Sequence, residues 1–398
     1  MGFYEELGVR PVINAAGTLT RLGGNRVSEA VLNAMAEAAA SNVVMDELQE
    51  RAGAVIAEVT GAEAGYVVAG AAAGLTLAAA ACVAGLDPAA MDQLPDTTGL
   101  KNEIVVQRGH RNAYDHALRA AGITFVEAGY LGYPGAGGTM PWQVEAAITE
   151  RTAAIAWPVL DTPGTLSLPE VVEIARRHEL PVIVDASASL PPRSNLRRFI
   201  AEGADLVVFS GGKAIGGPQA SGILAGRADL IASAALQQLD MDVRLPTWTR
   251  RGQVERGELR GIPHQGLGRS MKVGREEIAG LITALREFVA GDDDADRQRW
   301  EGLLAGIAAP LEGIDGVCPR IVTGASQPVP QLRIELDEAV LGVTAYDVVN
   351  RLLDGEPRVA VSESRAELGE IGVNPIVLTE SEAQIVQQRL VEVLGARA

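Results

Sequence analysis

The chain has 398 residues, of which 47% are hydrophobic and 21% charged, as in soluble globular proteins with one large or two smaller domains. Its formal net charge of −17 argues against nucleic acid as a partner, because an acidic surface repels a phosphate backbone. The two cysteines lie far apart and no Cys or His spacing typical of a metal site occurs, so we expect no metal. The N-terminus lacks a signal-peptide pattern, which makes the cytoplasm the expected location.

An uncharged stretch over residues 64–86 is long enough to span a bilayer. It consists mainly of Ala and Gly rather than Leu and Phe, and glycines such as Gly70 and Gly74 interrupt it. We therefore predict a buried strand, a glycine turn and a buried helix here, and no contact with a membrane.

Short apolar runs then alternate with helical patterns. Nearly continuous apolar runs are typical of strands that are covered on both faces. The predicted strands are Glu103–Gln107, Ile123–Ala128, Ala153–Trp157, Pro181–Asp185, Leu206–Ser210 and Gly222–Ala225. The predicted helices between them are Asn112–Ala121, Pro141–Glu150, Pro169–His178 and Arg193–Ala201. The alternation predicts an α/β fold with a mostly parallel sheet and helices on both faces.

The pattern changes after about Gly261. Long helical segments and separate extended segments follow, which predicts a smaller α+β unit. The predicted helices are Lys272–Ala290, Arg297–Ala308, Thr344–Leu353 and Thr379–Leu394, and the extended segments are Gln331–Leu336 and Arg358–Ser362. We therefore expect an N-terminal arm over residues 1–25, a large domain over residues 26–262 and a small C-terminal domain over residues 263–398.

Lysine is rare in this chain, which has only Lys101, Lys213 and Lys272. Arg can replace Lys in most surface roles, but Lys is the residue that forms an imine with a carbonyl compound. Lys213 follows the predicted strand Leu206–Ser210 in a glycine-rich turn, and α/β proteins bind ligands at such strand ends. A solvated lysine beside a flexible turn is the alternative.

Asp185 ends another apolar strand. There its carboxylate can project into a cleft and keep a pyridine nitrogen protonated by charge pairing, or it can serve as the N-cap of the next helix.

His110 follows the strand Glu103–Gln107 and can stack on a ring, although a core or capping histidine is the alternative. The turn Gly70–Gly74 opens a helix and offers free N–H groups to a phosphate, but tight helix packing also selects Gly and Ala.

These elements occur in the order Gly70–Gly74, His110, Asp185 and Ser210–Lys213. This order resembles fold-type I pyridoxal-phosphate (PLP) enzymes, the aspartate-aminotransferase superfamily. The resemblance implies a large domain with a mostly parallel sheet of the seven-stranded type and a small α+β C-terminal domain.

Within that superfamily, FSGGKAIGGPQASGILAGR (Phe209–Arg227) resembles the lysine motif of the selenocysteine synthase (SelA)-like group. Pro11–Thr18 (PVINAAGT) is similar to the same group, and RGHRNAYDHALRAAG (Arg108–Gly122) resembles most the D-glucosaminate-6-phosphate ammonia-lyase branch. The resemblance extends over about residues 8–290 and more loosely beyond.

The resemblance implies pyridoxal 5′-phosphate as the cofactor. Lys213 would hold it as a Schiff base and later move the Cα proton of the substrate, Asp185 would pair with the pyridinium nitrogen, and His110 would stack on the ring.

The phosphate and the 3′-oxygen of the cofactor have their own implied partners. Backbone groups of Gly70, Ala71 and Ala72 and the hydroxyl of Ser210 would bind the phosphate. Ser187 would lie near the ring and its 3′-oxygen.

Substrate contacts are expected from Asn14 and Thr18 in the N-terminal motif. The SelA-like C-terminal motif carries an Arg where this chain has Asn374–Val377, and Arg365 is a candidate to grip the substrate carboxylate instead, with a surface Arg as the alternative. The group builds its sites at a dimer interface, so a homodimer or higher homo-oligomer is expected.

The implied activity is that of a PLP-dependent lyase of the ammonia-lyase type. It would remove the Cα proton of a polar amino acid or amino-sugar acid, and β-elimination would then give a 2-oxo acid and ammonia. A racemase or epimerase, a SelA-like transferase and a non-catalytic PLP-binding paralogue are the alternatives.

Two observations disfavour the transferase. The net charge is acidic, and bacterial transferases carry an additional N-terminal domain, whereas this chain reaches Pro11 almost at once. No basic cluster for a substrate phosphate is evident, so phosphorylation of the substrate stays open.

Overall fold

The computed structural model describes residues 2–131, 138–324 and 327–395, and the chain forms two compact units. The larger unit is Val27–Val289, and the other combines Met1–Arg26 with Ala290–Ala398. The sequence pattern places the boundary earlier, at residues 262–263. In the structure, the helix Arg275–Ala290 buries apolar side chains in the core of the larger unit, so the division falls after Val289.

The larger unit contains a seven-stranded sheet. In spatial order its strands are Ala64–Val68, Gly222–Gly226, Leu206–Ser210, Val182–Asp185, Thr152–Pro158, Glu103–Gln107 and Thr124–Ala128. Among the described residues, Gly222–Gly226 runs antiparallel to both its neighbours and every other adjacent pair is parallel. The predicted mostly parallel sheet is confirmed.

Both faces of this sheet are covered. Val184 and Val207 belong to the apolar cluster on one face, while Ile183 and Val208 belong to the cluster on the other. This is why the strands read as continuous apolar runs rather than as alternating ones. The helices of this unit are Glu29–Ala39, Met45–Thr60, Ala71–Ala84, Pro88–Gln93, Asp115–Arg119, Pro141–Ala147, Leu168–Arg177, Asn195–Ala201, Ala228–Gln238, Arg251–Glu255 and Arg275–Ala290, with 3-10 turns at Arg108–His110, Leu245–Thr247 and Leu267–Met271.

Local signals set several helix ends. Ser167 and Glu170 form a capping box at the start of Leu168–Arg177, and Gly61 takes a left-handed conformation that ends Met45–Thr60. The uncharged stretch forms the strand and helix predicted for it. Within the described ranges, none of the helices has both the length and the apolar character that a bilayer crossing requires.

The smaller unit is α+β. Its five-stranded sheet has the order Val12–Ala15, Arg358–Arg365, Glu370–Val373, Gln327–Leu336 and Val317–Gly324. The predicted N-terminal arm supplies the first strand, which pairs in parallel with Arg358–Arg365 and so joins this unit. Its helices are Phe3–Glu6, Asp293–Ala308, Glu338–Leu341, Ala345–Asp354 and Glu380–Gly395, with 3-10 turns at Thr20–Leu22, Ala309–Leu311 and Ala366–Leu368.

Candidate active site

Asp185 and Lys213 lie at the same edge of the seven-stranded sheet. Asp185 ends the strand Val182–Asp185, and the adjacent parallel strand Leu206–Ser210 leads directly to Lys213. Ligands of α/β sheets bind at the carboxyl ends of parallel strands. The structure therefore brings the predicted amine and the predicted carboxylate to one edge.

Close backbone contacts hold the turn that carries Lys213. The N–H of Gly211 donates to the carbonyl oxygen of Ser221 at 2.9 Å. A Cβ atom on Gly211 would lie 2.2 Å from Ser221 Oγ, and one on Gly212 would lie 2.8 Å from the Cα of Gln219. Only glycine fits at these two positions, because the chain folds back on itself without room for a side chain.

The environment of Lys213 disfavours its charged form. Burial lowers the pKa of the amine from its ordinary value, and the negative charge of Asp185 acts in the opposite direction. The effect of the Asp185 charge on Lys213 agrees with the position of both residues at one edge of the sheet. A lysine with a lowered pKa supplies more neutral amine near pH 7, which is the form that attacks a carbonyl carbon.

The N-terminus of the helix Ala71–Ala84 is a second candidate binding element. Its N-cap, Gly70, has φ +105° and no side chain that could take up the free N–H groups of the first turn. Gly222 pairs with Val68 on one side and with Ser210 on the other. A Cβ on Gly222 would lie 2.8 Å from the carbonyl carbon of Gly70, so the turn approaches this strand closely. The helix thus begins with free N–H groups beside the strand that pairs with Ser210, and a helix N-terminus of this kind suits a phosphate.

His110 lies in the 3-10 turn after Glu103–Gln107 and is fully buried. Its ring meets the Trp157 ring edge-on, at 5.6 Å between centroids and 88° between planes. Burial lowers its pKa to about 4, so the imidazole is neutral at physiological pH. The cavity beside it is lined by His110, Trp157, Asp185, Asn112, Asp115 and Leu75, among others.

Ser187 orients Asp185. Its backbone N–H donates to Asp185 Oδ1 at 3.0 Å. The next helix begins only at Asn195, so Asp185 is not its N-cap. Asp185 instead lines the cavity beside His110.

The three predicted substrate contacts belong to the smaller unit. Asn14 closes a local turn, because its side-chain amide donates to the carbonyl oxygen of Gly17 at 2.8 Å. Thr18 follows this turn and is partly exposed. Arg365 forms an ion pair with the buried Glu370, with 2.7 Å between Nε and Oε1. That pairing gives Arg365 a structural partner within its own unit.

Sequence reasoning missed Gln107. Its side chain is buried at the end of an otherwise apolar strand and bonds both backbone groups of Leu166. The one sequence signal was a polar residue closing the run EIVVQ. Asp115, which is buried beside the cavity and paired with Arg111, was not singled out either.

The residues at this sheet edge match the parts of pyridoxal phosphate. An amine of lowered pKa suits the aldehyde carbon, a carboxylate suits the ring nitrogen, and a free helix N-terminus suits the phosphate. The close approach between Gly222 and Gly70, where a Cβ would not fit, holds the turn at the start of this helix against the sheet.

Comparison with known proteins gives consistent matches. The model of the family described as "SelA: L-seryl-tRNA selenium transferase" matches residues 12–249. A 5′-C-glycyluridine monooxygenase-decarboxylase from Streptomyces sp is 34% identical over 396 residues, which cover 98% of this chain and 92% of the relative. A D-glucosaminate-6-phosphate ammonia lyase from Salmonella typhimurium (strain 14028s / SGSC 2262) is 32% identical over 398 residues, which cover 98% of this chain and 97% of the relative.

Solved structures agree with these matches. A structure of D-glucosaminate-6-phosphate ammonia-lyase superposes on this chain with a TM-score of 0.81 at 31% identity. The match covers 100% of this chain and 99% of the chain of that structure. An aspartate aminotransferase from Thermus thermophilus has a TM-score of 0.50 at 18% identity, covers 98% of this chain and 94% of its own, and shares the fold. The predicted aminotransferase-like fold is confirmed.

Proposed function

Because the chain belongs to the SelA family of pyridoxal-phosphate-dependent enzymes, we propose that it is a lyase acting on a polar amino acid or an amino-sugar acid. The family assignment confirms the predicted resemblance and the predicted cofactor. The lyase reaction is supported by the likeness to D-glucosaminate-6-phosphate ammonia lyase over nearly the full length of both chains.

The net reaction balances as a dehydration followed by hydrolysis. The substrate loses the Cα proton and the β-hydroxyl group as water, and the released enamine takes up water to give a 2-oxo acid and ammonia. Bound pyridoxal phosphate would supply the electron sink that makes the Cα proton acidic.

Each role falls to a residue at the sheet edge. Lys213 would hold the cofactor covalently and, once the substrate amine replaces it, would accept the Cα proton on Nζ. Its lowered pKa suits this task, because a base must be neutral before it accepts a proton. Asp185, oriented by the backbone of Ser187, would keep the ring nitrogen protonated.

The phosphate would bind at the helix that begins with Ala71. The backbone N–H groups at Gly70, Ala71 and Ala72 would be donors, and the hydroxyl of Ser210 would be another. Ser210 and Val68 both pair with Gly222, from opposite sides. The observation that carries the proposal is the placement of Lys213, Asp185 and this helix N-terminus at one edge of the sheet.

Absorbance and ammonia release test the proposal together. We expect the purified protein with pyridoxal phosphate to show a visible absorbance band that Lys213→Ala abolishes. The matched control is Lys272→Ala, which removes an exposed lysine and should keep the band. A panel of D- and L-hydroxy amino acids and amino-sugar acids, scored for ammonia and 2-oxo acid, should contain a substrate for the wild type that the Lys213 variant does not turn over. A band that survives Lys213→Ala would refute the assignment of the lysine.

A second candidate function rests on the relative that is 34% identical, the 5′-C-glycyluridine monooxygenase-decarboxylase. Under this alternative the chain would release carbon dioxide from an amino acid attached to a nucleoside and would consume molecular oxygen. The same panel, extended with such compounds and run with and without oxygen, separates the two. Oxygen uptake with carbon dioxide release would favour this candidate, whereas ammonia release without oxygen would favour the lyase.

The remaining alternatives give different readouts. A racemase would introduce solvent deuterium at Cα without releasing ammonia. A transferase would bind seryl-tRNA with strong salt dependence in a gel-shift titration. A binding protein without catalytic activity would show the absorbance band and no turnover of any compound.

A further inference from the structure

The side-chain amide of Gln107 has a fixed orientation. Its Oε1 accepts a hydrogen bond from the backbone N–H of Leu166 at 2.5 Å, and its Nε2 donates to the carbonyl oxygen of Leu166 at 3.1 Å. Because a backbone N–H can only donate and a carbonyl oxygen can only accept, the oxygen and nitrogen of this amide cannot be exchanged. Trp157 Nε1 also donates to the same carbonyl oxygen at 3.0 Å, which holds the Leu166 backbone in place.

The fixed amide determines what His110 Nδ1 faces. Gln107 Nε2 lies 3.5 Å from Nδ1, at the outer limit of a hydrogen bond, and its second hydrogen is not used by Leu166. An N–H on Nδ1 would point at another donor, whereas an unprotonated Nδ1 can accept. The other ring nitrogen, Nε2, is buried and has no hydrogen-bond partner among the described residues. A buried donor without a partner is costly, so a bound group is expected to supply the partner of Nε2.

We propose that Gln107 is a positioning residue that holds His110 as the neutral tautomer with its proton on Nε2. His110 then offers one N–H donor, on Nε2, to an oxygen of the occupant, the group bound beside the ring. With Nδ1 engaged by Gln107 and the proton on Nε2, His110 would take no part in proton transfer, which agrees with the role proposed for Lys213. This inference relies on the proposed function only for the identity of the occupant.

Two acidic residues line the same cavity as His110. Asp115 and Asp185 line the same cavity, but Asp115 is paired with Arg111 and Asp185 accepts the N–H of Ser187. Burial is the cause that lowers the His110 pKa to about 4. The imidazole therefore stays neutral over the range in which the enzyme is expected to work.

Nitrogen-15 NMR of histidine-labelled apoprotein tests this without substrate or turnover. The chain has four histidines, so His110→Phe assigns the signal of His110 by its disappearance. Protonated and unprotonated ring nitrogens have well-separated shifts. We expect His110 to carry its proton on Nε2, with no change in either nitrogen from pH 8 down to pH 5.5. A proton on Nδ1, or a titration midpoint near the ordinary value of about 6.5, would overturn the proposal.

Two substitutions at Gln107 sharpen the test. Gln107→Glu replaces the donor that faces Nδ1 with an acceptor, so we expect the proton to move to Nδ1 or the His110 pKa to rise by at least about one unit. Gln107→Leu removes the donor, and a mixture of tautomers should appear.

Gln49→Leu is the matched control. The amide of Gln49 is also buried and also bonds one backbone N–H and one carbonyl oxygen, both of Val67. It should leave the His110 signals unchanged. Unchanged signals in Gln107→Glu would contradict the positioning role, and the spectrum of the wild type decides the tautomer even if a variant fails to fold. Ammonia release is measured separately, so a failure here and a failure of the lyase proposal are distinguishable.

Discussion

Gly222→Ala tests the proposed phosphate site by adding a single methyl group. The new Cβ would lie 2.8 Å from the carbonyl carbon of Gly70, 3.0 Å from the backbone nitrogen of Ala71 and 3.0 Å from the carbonyl oxygen of Phe209. All three atoms are backbone, so relief requires the turn at Gly70 or the strand to move. Overpacking of this kind costs about 1–3 kcal/mol in stability. If the displaced turn loses one hydrogen bond to a charged phosphate, worth about 1.5–3 kcal/mol, cofactor affinity falls roughly 10- to 150-fold.

Equilibrium titration of the apoprotein with pyridoxal phosphate measures this loss, and urea unfolding measures stability alongside. Gly226→Ala is the matched control at the other end of the same strand, where a Cβ would lie 1.9 Å from the carbonyl oxygen of Asp205. It should destabilise the fold at least as much but leave the affinity of the folded fraction unchanged. An affinity within twofold of the wild type in Gly222→Ala, with the expected loss of stability, would refute the phosphate site at Gly70.

Three further predictions concern the unfolding free energy. Lys213→Met should stabilise the apoprotein at pH 7, since the folded-state pKa of the lysine lies below its unfolded value. This gain in unfolding free energy should disappear as the pH rises past about 10.4, the ordinary pKa of lysine. Urea unfolding at pH 7 and at pH 10.5 measures both values. Gln49→Leu should cost about 1–3 kcal/mol for each backbone group of Val67 that it leaves unpaired, measured by the same method. Arg365→Ala should cost about 1 kcal/mol or less and leave KM unchanged, because Arg333 Nε still lies 3.7 Å from Glu370 Oε1. A raised KM at unchanged stability would instead support a grip on the substrate carboxylate.

The sheet of the larger unit was predictable because its strands are buried on both faces. Strands such as Leu206–Ser210 and Glu103–Gln107 have the predicted bounds to the residue. The smaller unit was harder. Val317–Gly324 is mostly exposed, so no apolar run marks it, and Glu370–Val373 is only four residues long. The strand Val12–Ala15 pairs with a segment near the other end of the chain, and no local pattern carries that information.

The candidate site was predictable at the residues that carry distinctive chemistry. Lys213 stood out as one of three lysines and Asp185 as a carboxylate ending an apolar strand, so the sequence indicated both. The contacts that position them were not visible. Gly222 faces Gly70 across the sheet, and Gln107 reaches Leu166 across 59 positions of the chain. Such pairings depend on tertiary packing, which single-residue patterns do not encode.

The antiparallel strand Gly222–Gly226 explains why Lys213 lies at the carboxyl edge of the sheet. Two parallel neighbours need a crossover connection that carries the chain away from the carboxyl edge, whereas antiparallel neighbours can be joined at that edge. Here Ser210 and Gly222 are paired to each other, and the hydrogen bond from Gly211 to Ser221 closes the connection between them. Lys213 lies within this closed connection. Its amine is therefore confined to the edge where Asp185 ends its strand and where the helix Ala71–Ala84 begins beside Gly222.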